Sequence, residues 1–252
     1  MGRIIAICNQ KGGVGKTTTA TNLATSLSFL GYRVLLLDLD PQGNSTNSVG
    51  IDADMVNTST SDIFLSKCNI KDAIIKTSFG IDAIPATKNL AILSTEIKEK
   101  EILKSSLAMI KDGYDFIIMD CPPSLGILNY NALVAANSLI IPVQCQYYAF
   151  EGLISLLSTI RYIQTNYNEK LDVEGILLTM YDARANLDKR VYAEVKEFFK
   201  EKVFETSIPQ SIKIPLSQSK KKPIMFYDKK ANVAQAYIDL AKEVVSHNGW
   251  NY

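Results

Sequence analysis

A short apolar run at residues 3–8 leads into a glycine-rich stretch, Lys11-Gly12-Gly13-Val14-Gly15-Lys16-Thr17, and then into Ala20, Leu23, Ala24, Leu27 and Leu30 at helical spacing. Strand, tight loop and helix in that order leave few folds open. Glycines let the backbone curl closely round a ligand just where a helix N-terminus adds its positive end. The stretch therefore implies a phosphate cradle. Gly12, Gly13 and Gly15, with Val14 and Thr18 completing the run, bring backbone N–H groups to phosphate oxygens. Lys16 neutralises the β and γ phosphates of a nucleotide, and the Thr17 hydroxyl can ligate Mg²⁺. The common G-x-x-x-x-G-K-[ST] form is not met, because Gln10 holds its first glycine position and Lys11 opens the loop instead. A plain glycine turn with two solvated lysines is the bland alternative; the flanking strand and helix favour the cradle.

Further apolar runs at 34–37, 81–84, 116–119, 139–143 and 175–180 alternate with helical patterns. Continuous apolar strands separated by helices imply an α/β fold: a mostly parallel, twisted sheet with helices on both faces, here one P-loop NTPase domain over residues 1–252. Gly31 stands where a helix-ending glycine belongs. Residues 43–61 carry Ser, Thr, Asn and Gly without a period and read as a loop near the ligand, at the carboxyl ends of the strands. Val233, Ala234, Tyr237, Ile238, Ala241 and Val245 form one stripe of a helix over 233–245.

Lys and Arg total 27 against 26 acidic residues, so no global positive field draws the chain to nucleic acid, and any such contact needs a local patch. The four cysteines, Cys8, Cys68, Cys121 and Cys145, form no C-x-x-C pair, and the one histidine, His247, cannot complete a metal site. Cys121 and Cys145 lack the ligand loop that a cluster shared across a dimer would need. No apolar run approaches ~20 residues, and the first residues resemble neither a signal nor a transit segment. A cytoplasmic, reducing setting is expected.

Two carboxylates complete the expected chemistry. Asp120 ends the run 116–119 and precedes Cys121-Pro122-Pro123. At the carboxyl end of a buried strand beside the cradle it can hold Mg²⁺ through its water shell; the alternative is an aspartate that caps the next helix. Asp40 precedes Pro41-Gln42-Gly43 and can orient an attacking water, with Asp38 as its competitor for that role.

The stretches KGGVGKTT, DLDPQGNST at 38–46, FIIMDCPPSLG at 116–126 and LLTMYDARANL at 177–187 together resemble the ParA/Soj chromosome-partitioning ATPases, of the deviant Walker A class. The likeness covers nearly the whole chain. It implies a MgATPase whose two subunits meet face to face across ATP, with Lys11 reaching the partner's phosphates as a trans-acting cation. It further implies that Lys16 is the cis phosphate lysine, that Thr17 and Asp120 serve Mg²⁺, that Asp40 positions water, and that Met180 and Pro209 help build the adenine pocket.

The same resemblance implies non-specific binding of double-stranded DNA by the ATP homodimer, nucleoid association in the cytoplasm, and a ParB-like centromere-binding protein that stimulates hydrolysis. Arg184 matches a DNA-contacting arginine of the family. Where the family reads like IPRNVRLSEAPS, this chain has Gln210 for one arginine and Lys213 for another, and lacks the acidic residue. Lys220, Lys221 and Lys222 can restore the charge, as phosphate neutralisers without arginine's fork. A membrane-surface ATPase that positions division is the alternative. It would need a basic amphipathic C-terminal helix, and after Val245 the chain offers only a short, nearly uncharged tail with Trp250, so no membrane contact is expected. A tyrosine kinase acting on its own tail is disfavoured because the 12 tyrosines are spread along the chain.

Overall fold

Alternate residues of the central strands point to opposite faces, and both faces are apolar, so each strand is buried twice over. The computed structural model describes residues 2–145 and 149–249. Its strands are β1 (Arg3–Ile7), β2 (Val34–Asp38), β3 (Ile75–Lys76), β4 (Asp82–Ile84), β5 (Phe116–Asp120), β6 (Ser138–Gln144), β7 (Asp172–Tyr181) and β8 (Ile208–Pro209). They form one sheet in the order β3-β4-β2-β5-β1-β6-β7-β8. Every neighbouring pair is parallel except β3 with β4. The helices are α1 (Lys16–Phe29), α2 (Asn44–Ser48), α3 (Thr60–Phe64), α4 (Asn89–Glu96), α5 (Ile102–Ala108), α6 (Ile127–Ala135), α7 (Ala149–Asn166), α8 (Asn186–Phe199), α9 (Lys213–Ser219), α10 (Ile224–Tyr227) and α11 (Asn232–His247).

Ile5, Ile7, Leu36 and Ile118 pack beneath α1, α10 and α11, while Ile4, Ala6, Leu35 and Met119 pack beneath α3 to α8. Fully burying each aliphatic side chain contributes roughly 1.5–3 kcal/mol. Because α1 and α6 leave neighbouring strands on opposite faces, the carboxyl ends of β1, β5 and β6 border a crevice where ligands of open α/β sheets bind.

The expected strands lie inside β2, β5, β6 and β7, the run 81–84 starts one residue before β4, and the expected C-terminal helix lies inside α11, whose stripe is buried. Gly31 has φ 98 and ends α1: its N–H donates to the Ser28 carbonyl and that of Tyr32 to the Leu27 carbonyl. The reading of 43–61 as one loop needs correction. Asn44–Ser48 is helical, started by Gly43 at φ 63 and pinned by Thr46 to the buried Asp38. Five residues are too few to show a helical period.

Candidate active site

The glycine-rich loop is tied down at both ends. Asn9 Nδ2 donates to the Pro142 carbonyl of β6 at 2.7 Å, and Asn9 Oδ1 accepts the Lys11 N–H at 3.0 Å. Thr179 Oγ1 of β7 donates to the Val14 carbonyl at 2.8 Å. Between these anchors Gly13 and Gly15 take φ of 75 and 89, left-handed values that other residues enter only at a cost. Gly12 is different: a Cβ added there meets nothing within 4 Å, and its φ lies outside the left-handed region. Lys16 is buried, and its Nζ donates to the Lys11 carbonyl at 2.9 Å, so the loop curls onto its own lysine. Burial pulls the Lys16 ammonium below its ordinary pKa, and the charge of Asp120 opposes that shift.

Asp38 and Asp120 face each other in register across β2 and β5. Asp38 spends both oxygens on its own loop: Oδ2 accepts from the Thr46 N–H at 2.9 Å and hydroxyl at 2.6 Å, and Oδ1 from the Asp40 N–H at 3.0 Å. Burial lifts its pKa, against those bonds. Asp120 has no such support. Both its oxygens are buried without a formed hydrogen bond. Burial, then the Asp38 charge, push its carboxyl well above the usual carboxylate range, although the Thr17 hydroxyl lies near enough to oppose the shift.

An orphaned buried carboxylate is costly unless a cation or a proton satisfies it. The Asp120 carboxylate and the Thr17 hydroxyl are hard oxygen donors and fit Mg²⁺, which keeps several waters and needs only one or two protein ligands. Among the described residues no group of three His, Cys, Asp or Glu could chelate a metal ion unaided. Asp40 is also buried, at 8% exposure, and its Oδ1 accepts the Gln42 N–H at 3.0 Å. Asp38 is committed to its loop by three hydrogen bonds, whereas Asp40 holds the Gln42 N–H.

Beside the loop lies an apolar cavity of about 290 Å³ lined by Gly15, Thr18, Met180, Pro209, Ile214 and Tyr237, among others. A flat nucleobase suits such walls with the phosphate cradle at one end. Both residues expected there, Met180 and Pro209, line it. Met180 has φ 54, unusual for a side-chain-bearing residue, at a register shift between β7 and β8.

The expected DNA cations lie on the surface. The Arg184 side chain is 90% exposed and binds the Asp182 carboxylate in a two-pronged ion pair that lowers the pKa of Asp182 to about 2. Lys213 pairs with Asp228 at 2.6 Å. Lys220, Lys221 and Lys222 are all exposed, in the turn between α9 and α10. Cys121 and Cys145 are buried thiols: the neighbouring Cys8 thiol and then burial raise the first well above its ordinary value, and burial raises the second to about 12. Trp250 lies outside the described residues, and no described helix is long and apolar enough to cross a membrane.

Sequence reading missed the residues that hold the site rather than form it. Thr46 bonds to Asp38 and also accepts the Ala86 N–H at 3.0 Å, tying the loop after β2 to the end of β4. Thr179 acts on the loop from β7, and Asn9, at the loop's own start, ties it to β6. Their partners lie 165 and 133 residues away in sequence, beyond any local signal.

A family model described as an AAA domain matches residues 2–173. The sporulation initiation inhibitor protein Soj of Bacillus subtilis is 49% identical over 98% of this chain and 100% of its own. The chromosome partitioning protein ParA of Caulobacter vibrioides is 40% identical over 97% of this chain and 94% of its own. Among solved structures, the cobyrinic acid a,c-diamide synthase of Mycobacterium smegmatis with bound ADP and magnesium superposes with a TM-score of 0.87 and 34% identity, covering 99% of this chain and 96% of that one. With end-to-end likeness to Soj and ParA added to the cradle, the buried carboxylates and the base-sized cavity, this chain belongs to the Soj/ParA family of chromosome-partitioning P-loop ATPases.

Proposed function

We propose that this chain is a Mg²⁺-dependent ATP hydrolase that dimerises around ATP, binds DNA without sequence preference as the dimer, and releases it after hydrolysis stimulated by a ParB-like partner. Gly13, Gly15, Val14 and Thr18 cradle the phosphates, and Lys16 exchanges its bond to the Lys11 carbonyl for phosphate oxygens. Bound through Thr17 and Asp120, Mg²⁺ supplies charge neutralisation at the β and γ phosphates. Asp40 orients the attacking water, and Met180 and Pro209 hold the base. Lys11 of each subunit stabilises charge on the ATP of the other. The diamide synthase activity for which the M. smegmatis protein is named is not carried over, since identity to the partition proteins is higher.

Gly12 carries the dimer reading. A Cβ there would meet nothing within 4 Å, and φ lies outside the left-handed region that favours glycine. A glycine that the fold of the subunit does not require leaves room for close approach, by the phosphates in the cradle and, in the dimer, by the facing subunit. DNA retention then follows from Arg184, Lys213, Lys220, Lys221 and Lys222 acting on phosphates, which carry no sequence information. The reaction takes place in the cytoplasm, on the nucleoid.

Size-exclusion chromatography with ATP, with and without DNA, tests the scheme. Asp40→Ala accumulates as an ATP dimer on DNA, Gly12→Val binds ATP but stays monomeric, and Lys16→Ala loses nucleotide by about a hundredfold in affinity, as expected when a buried charge partner is removed. A Lys16→Ala protein that still dimerises in response to ATP overturns it.

A further inference from the structure

Two of the cations on the proposed DNA surface are already engaged. Arg184 Nε and Nη2 each donate to the Asp182 carboxylate at 3.0 Å, and Lys213 Nζ donates to Asp228 Oδ2 at 2.6 Å. The two carboxylates are built alike. Asp182 Oδ1 accepts the Arg184 N–H at 2.9 Å and Asp228 Oδ1 accepts the Lys230 N–H at 3.1 Å, so each anion is fixed by the turn that follows it. Each therefore meets its cation preorganised. The lysine run differs: no carboxylate among the described residues pairs with Lys220, Lys221 or Lys222.

None of the four residues lines the base cavity, but each pair has one member joined to its walls through the backbone. Met180 lines that cavity two residues before Asp182. Residues 209–212 line both the cavity and an adjoining open groove of about 900 Å³, to which Asp182 and Arg184 also belong. Lys213 follows that shared wall directly. Met180 and residues 209–212, the walls a base in the cavity would touch, are thus continuous in backbone with Asp182 and with Lys213.

A cation held by a carboxylate contributes no net charge to a phosphate, and the two anions compete for the same donors. We propose that Asp182 and Asp228 are internal competitors for the DNA backbone, which hold Arg184 and Lys213 in the nucleotide-free subunit and let go when the base cavity is filled. This rests on the DNA-binding reading above. The lysine run supplies the attraction that remains in either state, and the two gated cations supply the difference between them.

Fluorescence anisotropy of a short random-sequence duplex, measured over a salt series with and without ATP, tests the gate in Asp182→Asn, Asp228→Asn and the double variant. Asparagine keeps the Oδ1 acceptor, so the turns survive. Without nucleotide, each substitution tightens binding about fivefold and the pair roughly twenty-fold, the scale of exposed ion pairs at separate sites. The salt slope steepens by about one per freed cation. Adding Arg184→Ala to Asp182→Asn, or Lys213→Ala to Asp228→Asn, removes the corresponding gain. With ATP the gain shrinks towards none. If neutralising the carboxylates leaves nucleotide-free affinity and slope unchanged while ATP-bound wild type holds DNA, the competitors are refuted and the DNA surface stands. Equal gains in both nucleotide states overturn the gate. If no protein retains DNA, ATP-bound wild type included, the DNA reading fails and takes the gate with it.

Discussion

Asp120 shows how one buried carboxylate can work against the fold and for the ligand. Its pKa is raised by burial first and by the Asp38 charge second. In a folded state that prefers the proton, the stability tied to Asp120 is fully present below the ordinary carboxylate pKa of about 4 and is lost as pH rises through the elevated folded value. Near neutrality the ionised group is therefore a burden that a cation can lift. Asp120→Asn is expected to raise the thermal midpoint of the nucleotide-free protein while abolishing the further rise that MgATP gives wild type. Differential scanning fluorimetry from pH 5 to 8 checks this, and a wild-type midpoint that climbs steadily with pH without ligand would contradict the sign. The residues of the cradle and its carboxylates were legible because each sits inside a short run whose spacing is dictated by phosphate geometry. The pairing of Arg184 was not, although Asp182 stands two places away in the sequence: a charge beside a charge reads equally well as a solvated surface. Lys213 offers less still, since its partner Asp228 is reached only through the fold of α9 and α10.

Among strands and helices, legibility tracks length and burial. β2, β5, β6 and β7 are near-continuous apolar runs because both their faces are covered, and that pattern survives in sequence. β3 and β8, two residues each, carry no period and exist only through their neighbours. α2 fails for a similar reason, as its stability comes from Thr46 on Asp38 rather than from an apolar stripe. Packing also makes demands that composition hides. Gly175 of β7 sits where the Phe204 ring crosses the strand, and a Cβ there would lie 2.4 Å from the ring. Gly175→Ala must displace Phe204 or bend β7, and costs about 1–3 kcal/mol. Because β7 also carries Thr179, which holds the Val14 carbonyl, ATP affinity should fall with stability. Chemical denaturation with parallel nucleotide titration measures both; an unchanged midpoint would mean that the ring moves freely.

Taken as one body, the subunit is almost electrically neutral, with 27 basic against 26 acidic residues. Under the proposed DNA binding, its hold on a polyanion must come from a few placed cations, and retention on DNA should weaken steeply with salt. The same economy of placement applies at the other surface, where Gly12 faces open space. Glycine loses more backbone freedom on folding than any other residue. Alanine at that position has room and no left-handed φ to adopt, so Gly12→Ala should stabilise the isolated subunit by about 0.4–1 kcal/mol, or roughly 1–4 °C for a chain of this size, while weakening the proposed ATP-driven dimerisation. Thermal unfolding without nucleotide, set beside sedimentation with ATP, reads the two effects separately, and a variant that dimerises normally would refute the trade. Position 12 would then mark a conflict of interest within the molecule: the subunit is made less robust alone so that it can be a closer neighbour, and mutations there tune sociability without touching the ability to fold.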